Sequence, residues 1–387
     1  MAEDWQSGGF GLYVHWPFCA AKCPYCDFNS HVSRQIDEKV WRDAYLSEIK
    51  RVSAESSDKV LNTIFFGGGT PSLMSPDLVA EIIEAARRGW RWSNDVEITL
   101  EANPGSVEAG RFAGYRMAGV NRVSMGVQAL NDRDLRRLGR IHSVAEAKAA
   151  FDIARAEFDR VSFDLIYARQ DQSLDDWRSE LSEALDMAID HLSLYQLTIE
   201  DGTAFADRFR AGGLRGLPAD DLAADMYDVT QEVCAAHGMP AYEVSNHARS
   251  GAESRHNLIY WHYGDYAGIG PGAHGRLTLG GQRFATEAPR APGAWLNAVT
   301  SGAGELPRDA LSPQDQAIEY LMMCLRLTKG LDMTRFSRIS GAELPETRLN
   351  SLSEMGLITR QGPILKTTPQ GRLVLNSVLA ELLRDLA

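Results

Sequence analysis

The first half of the chain alternates short apolar runs with longer stretches of helical period. Gly11–His15, Leu61–Phe66, Val96–Leu100, Arg122–Val127, Arg160–Ile166 and His191–Thr198 read as strands. Between them, apolar positions recur with helical spacing over Asp37–Ala54, Pro76–Arg88, Val107–Ala118, Ser143–Ala156 and Leu174–Ala188. Several of these begin on a capping residue, as at Ser75-Pro76 and Ser143. βα units at this spacing predict parallel strands joined by right-handed crossovers. Six such units predict an α/β fold, a partial (βα)6 TIM-like barrel left open, with its chemistry at the C-terminal strand ends.

The second half is less regular. Asp220–His237 predicts an amphipathic helix stopped by Gly238 and Pro240. Residues 242–275 are rich in Gly, His, Asn and Tyr and read as functional loop. Residues 281–310, punctuated by Pro and Gly, read as a linker around a short helix. Helical patterning resumes at Ser312, GLITRQGPILKTTPQG predicts a two-stranded wing, and a last helix is expected over Arg372–Leu386. The layout expected is a barrel over 1–240, motif-bearing loops and linker over 241–310, and a helical or winged-helix-like domain over 311–387.

Composition narrows the class. The chain has 387 residues, 44% hydrophobic and 24% charged, with a net charge of −12. These values suit a globular protein with an ample core and argue against a general nucleic-acid binder. The scattered basic residues of the C-terminal region favour a cap packed on the barrel over a DNA-binding domain. No run of 18 apolar residues suggests a membrane span. The start MAEDWQSGGF lacks a signal-peptide pattern, so a cytoplasmic location is expected.

Chemistry concentrates in Tyr13–Phe28, YVHWPFCAAKCPYCDF, where Cys19, Cys23 and Cys26 are spaced C-x3-C-x2-C. Three thiolates on one loop can hold a metal centre while leaving a coordination position open. A disulfide pair would strand a third thiol, and a zinc site would recruit His15 or His31 as a fourth ligand. Cys234 and Cys324 lie in helical runs and read as core. After the second strand comes Phe65-Phe66-Gly67-Gly68-Gly69-Thr70-Pro71-Ser72, whose glycines let a ligand approach the backbone closely. No lysine follows them, as a phosphate loop would require. Glu101 and Gln128 end strands three and four, Arg140 follows, and Asp164 lies in strand five. Carboxylates can accept from ribose hydroxyls, and an arginine can pair with a carboxylate. In Arg255-His256-Asn257-Leu258-Ile259-Tyr260-Trp261 an imidazole could ligate haem iron and the rings could pack on a porphyrin; the alternative is a locally bonded histidine beside core aromatics.

The cysteine loop resembles that of the radical S-adenosylmethionine (SAM) enzymes. HWPFCAAKCPYCDF, FFGGGTPS, EANP, RVSMGVQ, FDLIY and YQLT together resemble, in order, the oxygen-independent coproporphyrinogen III oxidases and their relatives. The resemblance implies a 4Fe-4S cluster on Cys19, Cys23 and Cys26, with S-adenosyl-L-methionine on its open iron. It also implies SAM contacts from Tyr13, Tyr25, Gly68, Gly69, Thr70, Glu101, Gln128, Arg140 and Asp164. The oxidases carry a fourth cysteine where this chain has Phe28, and a longer segment before the cluster loop than the 18 residues here. Both differences, with the H-N-x-x-Y-W motif of His256, Asn257, Tyr260 and Trp261, resemble the HemW-type haem chaperones. That branch implies haem binding and delivery to acceptor haemoproteins, membrane-associated ones among them, a homodimer as one assembly, and no porphyrinogen oxidation; catalytic residues stay unassigned. The runner-up is the oxidase itself or another porphyrin-modifying radical SAM enzyme. One departure from both is Ala168-Arg169-Gln170-Asp171-Gln172, where the family reads GLPGQ.

Overall fold

The computed structural model describes residues 4–33, 35–105 and 109–384. Six strands follow the expected order: β1 (Phe10–Trp16), β2 (Val60–Gly68), β3 (Arg91–Ala102), β4 (Arg122–Gln128), β5 (Arg160–Tyr167) and β6 (His191–Gln196). Each pairs in parallel with the next. This unreversed order, with a helix after most strands, makes the sheet curl into an open barrel with the helices outside. The helices Glu38–Glu55, Pro76–Gly89, Val144–Glu157 and Leu174–Met187 match the expected segments within one residue at each end. Their starts are set chemically: Asp37 and Ser75 accept from first-turn N–H groups, and Ser143 forms a reciprocal capping box with Glu146. The helix expected over Val107–Ala118 runs over Phe112–Ala118, with part of the expected span outside the described residues.

The second half departs from expectation. Residues 242–275 are not loop throughout. They supply β7 (Asn246–Ala248), antiparallel to β6, the helix Arg255–Trp261, and β8 (Asp265–Ile269), which pairs in parallel with the free edge of β1. The expected linker of 281–310 is mostly ordered sheet and helix. β9 (His274–Leu279), β10 (Gln282–Glu287) and the short β11 (Asp309–Ala310) continue antiparallel outward, and the helix Pro292–Thr300 lies between the last two. Glycine misled here because it marks close backbone approach as well as turns. A Cβ on Gly264 would lie 2.6 Å from the Gly9 carbonyl oxygen, and one on Gly268 would lie 2.0 Å from that of His274.

Buried charge bolts the added strands to the barrel. Lys59, fully buried, places its Nζ 2.9 Å from Asp265 and over the Trp5 ring at 3.8 Å. Arg283 reaches the other oxygen of Asp265 at 3.1 Å. Paired and stacked in this way, the charges are compensated in the interior.

The C-terminal region has its own core around Tyr320, Leu321, Phe336, Leu349 and Val378. The predicted wing is the hairpin Ile358–Gln361 and Ile364–Thr367, joined by Leu331–Asp332 as a third strand. The last helical segment is broken, running Pro369–Leu373 and then Leu375–Leu383. Cys234 and Cys324 are buried, as expected of core residues.

Candidate cofactor site and the adjoining cavity

At the C-terminal ends of the barrel strands lies a cavity of about 410 Å³. Cys19, Cys23 and Cys26 line it, as do Tyr25, Gly68, Gly69, Thr70, Glu101, Gln128, Arg140 and Asp164. Eleven residues singled out from six separate stretches of sequence therefore share one space. Among the described residues no three His, Cys, Asp or Glu side chains converge tightly enough for a single ion. The three sulfurs border a wider pocket instead.

The glycine run does two jobs. Gly68, at φ +108°, has space only for hydrogen, since a Cβ would sit 2.7 Å from the His15 ring. A Cβ on Gly69 would come within 2.7 Å of the Phe18 carbonyl oxygen and 3.1 Å of Cys19 Sγ. The N–H groups of Gly69 and Thr70 donate to the carbonyls of Trp16 and Phe18 at 2.7 and 2.8 Å, tying the end of β2 to the cysteine loop. The Thr70 hydroxyl lies 3.4 Å from Cys19 Sγ.

Arg140 spans the floor. It donates to Asn103 Oδ1 at 2.7 Å and to the Gly126 carbonyl at 2.8 Å, and reaches Cys23 Sγ at 3.4 Å. Its Nε is buried with no partner. Gln128 ends β4 in a left-handed conformation, φ 72°, a strained choice for a side-chain-bearing residue at a site. Glu101 is held up to about 8 by burial and by the neighbouring Asp164 charge. Asp164 is raised to about 6 by burial, opposed by its bond from Ser193. Asn103, which accepts from Arg140 and donates to Thr70 at 3.2 Å, was not singled out from sequence. Its place in EANP, two residues after Glu101, was the available signal.

Tyr13 does not join this group. It faces a second cavity of about 680 Å³, lined also by His15, Tyr260, Trp261, Tyr266, His274, Arg276, Arg283 and Arg290. Asp27, Phe28, Gly68 and Glu101 border both cavities and form their common wall.

Comparison with known proteins places these features. The profile of the radical SAM superfamily matches residues 13–183, and that of the HemN C-terminal domain matches 311–374. The heme chaperone HemW of Escherichia coli K12 is 37% identical over 373 residues, covering 95% of this chain and 96% of its own. This chain belongs to the HemW family of radical SAM proteins. The HemW of Mycobacterium tuberculosis is also 37% identical, across 97% of this chain and 95% of its own. The mitochondrial radical S-adenosyl methionine domain-containing protein 1 of Bos taurus is 38% identical, across 97% of this chain and 87% of its own. A solved structure of E. coli coproporphyrinogen III oxidase (HemN) shares the fold, with a TM-score of 0.81 at 21% identity over 98% of this chain and 92% of that one.

Membership of the radical SAM superfamily implies a 4Fe-4S cluster and SAM, and the first cavity fits them. Three thiols line a space too wide for a single ion. Burial pushes the Cys19 and Cys26 thiols up, so their thiolate forms call for the positive charge that a metal core supplies. The unpartnered Arg140 Nε and the glycine cradle suit a charged, backbone-recognised ligand. His15 is already occupied: its ring nitrogens lie 3.0 Å from the Tyr13 hydroxyl and 2.9 Å from the Asn29 carbonyl.

The H-N-x-x-Y-W residues divide. His256 is 1% exposed and absent from the wall of the second cavity. Its ring stacks on Phe65 and its nitrogens lie 2.7 Å from Thr63 Oγ1 and 2.6 Å from the Tyr260 hydroxyl. Burial holds it down to about 3, a neutral ring with both nitrogens engaged. This arrangement matches the locally bonded alternative, with the ring bonded to the Tyr260 hydroxyl. Asn257 is half-buried near the start of the same helix, where its N–H donates to the Ser254 hydroxyl cap. Tyr260 and Trp261 line the second cavity. The Trp261 indole N–H is buried without a partner.

Proposed function

We propose that this chain is a haem chaperone that holds haem in the second cavity, holds a SAM-ligated cluster in the first, and passes haem to acceptor haemoproteins. The observation that carries the reading is the common wall. An aromatic cavity of about 680 Å³, within the range of cofactor pockets (~300–1,000 Å³), abuts the cysteine-lined one through Asp27, Phe28, Gly68 and Glu101. Relatives that match nearly the whole chain are named heme chaperones, which supports the same reading.

In the first cavity, Cys19, Cys23 and Cys26 would hold the cluster, which supplies an electron to SAM when both are bound. The chain's own residues bind and orient: Gly68, Gly69 and Thr70 present backbone, Arg140 offers a guanidinium, and Glu101 and Asp164 accept from hydroxyls. Tyr25, tilted against Phe205 at 6.2 Å between ring centres, screens the sulfurs from water. Phe28, 58% exposed, places an apolar ring where the oxidases carry a cysteine, and we take the cluster and SAM to govern haem handling or dimer formation instead of porphyrinogen oxidation. The cytoplasm is the location that fits an oxygen-sensitive cluster; among the described residues no helix is long and apolar enough to cross a membrane.

The test is an anaerobic haemin titration of reconstituted protein beside an assay on coproporphyrinogen III. The expected result is stoichiometric haem uptake without protoporphyrinogen formation. Robust turnover without haem uptake would refute the reading. Cys23→Ser should remove the cluster's iron and sulfide, and wild-type content in that variant would refute the ligand assignment.

A further inference from the structure

The haem reading leaves open which side chain meets the iron. Two imidazoles, His15 and His274, line the second cavity, and the motif's His256 lies just outside its wall. His256 is enclosed behind Tyr260, and both of its nitrogens are engaged. His15 is 5% exposed and likewise engaged at both nitrogens. His274 differs. Its side chain keeps 61% of its surface exposed, its Nε2 lies 4.0 Å from Glu287, and it lines the cavity wall. No hydrogen bond to its ring appears among the described residues. An imidazole with no hydrogen bond to its ring, lining an aromatic cavity, is an iron ligand by its chemistry.

The arginines sort in the same way. Arg276 is clamped by Glu319 at 2.7 Å, and Arg283 by Asp265 at 3.1 Å with its ring stack on Tyr263. Arg290 lines the cavity, and its guanidinium makes no ion pair among the described residues. It is the cation left to meet a ligand carboxylate.

His274 and Arg290 are also rigidly carried. His274 opens β9 directly across from Glu287 of β10. The Ala288 N–H donates to Ala273 O at 2.9 Å, and the Gly272 N–H donates to Pro289 O at 3.0 Å. The Asn29 amide then donates to both Pro271 O and Arg290 O at 2.9 Å, so the cysteine loop itself braces this corner. Ligands held on strand ends by such bonds need little ordering when the guest arrives.

Resting on the haem reading above, we propose that His274 is the protein ligand to haem iron in the second cavity and that Arg290 pairs with a porphyrin propionate. A porphyrin between them would pack on Tyr260, Trp261 and Tyr266, within reach of the unpartnered Trp261 N–H.

Three probes separate the parts: ferric haemin, metal-free protoporphyrin IX and its dimethyl ester, each titrated anaerobically. His274→Ala should weaken haemin about tenfold or more and alter its spin-state spectrum. The same variant should bind metal-free protoporphyrin like the wild type, which also reports that the fold is intact. Added imidazole should restore the haemin spectrum of His274→Gly. Arg290→Ala should weaken both free-acid porphyrins about fivefold to tenfold and leave the ester unchanged. A wild-type haemin spectrum and affinity in His274→Ala would overturn the ligand assignment, and equal loss of ester binding in Arg290→Ala would overturn the propionate contact. Absence of stoichiometric haemin uptake by the wild type is a different result, and it would remove the haem reading on which both rest.

Discussion

Glu101→Gln should make the cluster-free protein more stable, and increasingly so as pH rises. The carboxyl lies on the wall between the cavities, raised from 4.5 to about 8 by burial first and by Asp164 second. A raised carboxyl binds its proton more tightly in the folded chain than in the unfolded one. The wild type therefore bears no penalty below about pH 4.5 and a growing one between there and pH 8. Above pH 8 the penalty is complete. At about 1.36 kcal/mol for each tenfold change in proton affinity, the ceiling is about 5 kcal/mol. Water reaching the carboxylate through the cavities cuts this to roughly 2–3 kcal/mol. Glutamine keeps an acceptor for the Gly68 N–H and removes the charge, so the difference between the two proteins isolates this one titration. Urea unfolding of both at a series of pH values from 5 to 9 reads it directly. Parallel stability curves would refute the burial argument for Glu101.

The loop Ala168–Gln172 makes a paired prediction, because restoring family residues there should have opposite effects. Arg169 is 3% exposed, donates to Asp134 at 3.0 Å and to the Ile166 carbonyl at 2.5 Å, and pairs with Glu180. Arg169→Leu would strand two buried carboxylates and should cost about 3–5 kcal/mol in urea unfolding. Ala168 sits at φ 58°, where an L side chain is strained, so Ala168→Gly should gain about 0.5–1 kcal/mol; a loss there would show that the strain is already relieved. Asn29→Ala removes two donors and should cost about 1–2 kcal/mol, while weakening haemin more than SAM, as isothermal titration with each would report.

Much of the barrel was legible because each strand is a short apolar run and each helix start carries its own cap. The gathering of these residues in one cavity was legible because strand-end polar residues in this order must converge at one barrel mouth. What escaped the sequence were features set by long-range approach. Gly264 and Gly268 read as loop, yet Gly264 lets the chain pass close to Gly9 beside β1 and Gly268 lets β8 pass close to His274 at the start of β9. Lys59 and Asp265 lie far apart in the chain and pair only in the fold. The altered 168–172 loop lies outside both cavity walls, and Arg169 turns inward onto Asp134 and Glu180. Tyr13, expected at SAM, lines the second cavity, beside the shared wall of Gly68 and Glu101. His256, the most conspicuous residue of its motif, supports Tyr260 from behind, and the accessible imidazole comes from His274, which the fold brings to the cavity by strand pairing.

The central claim is that two cavities sharing a wall hold two different guests at once. SAM binding to the cluster-reconstituted protein, measured with and without one equivalent of haem, tests this most directly. Simultaneous occupancy at one equivalent of each, with at most a modest change in SAM affinity, is the predicted result. Mutual exclusion, with haem displacing SAM in proportion to its own binding, would contradict it.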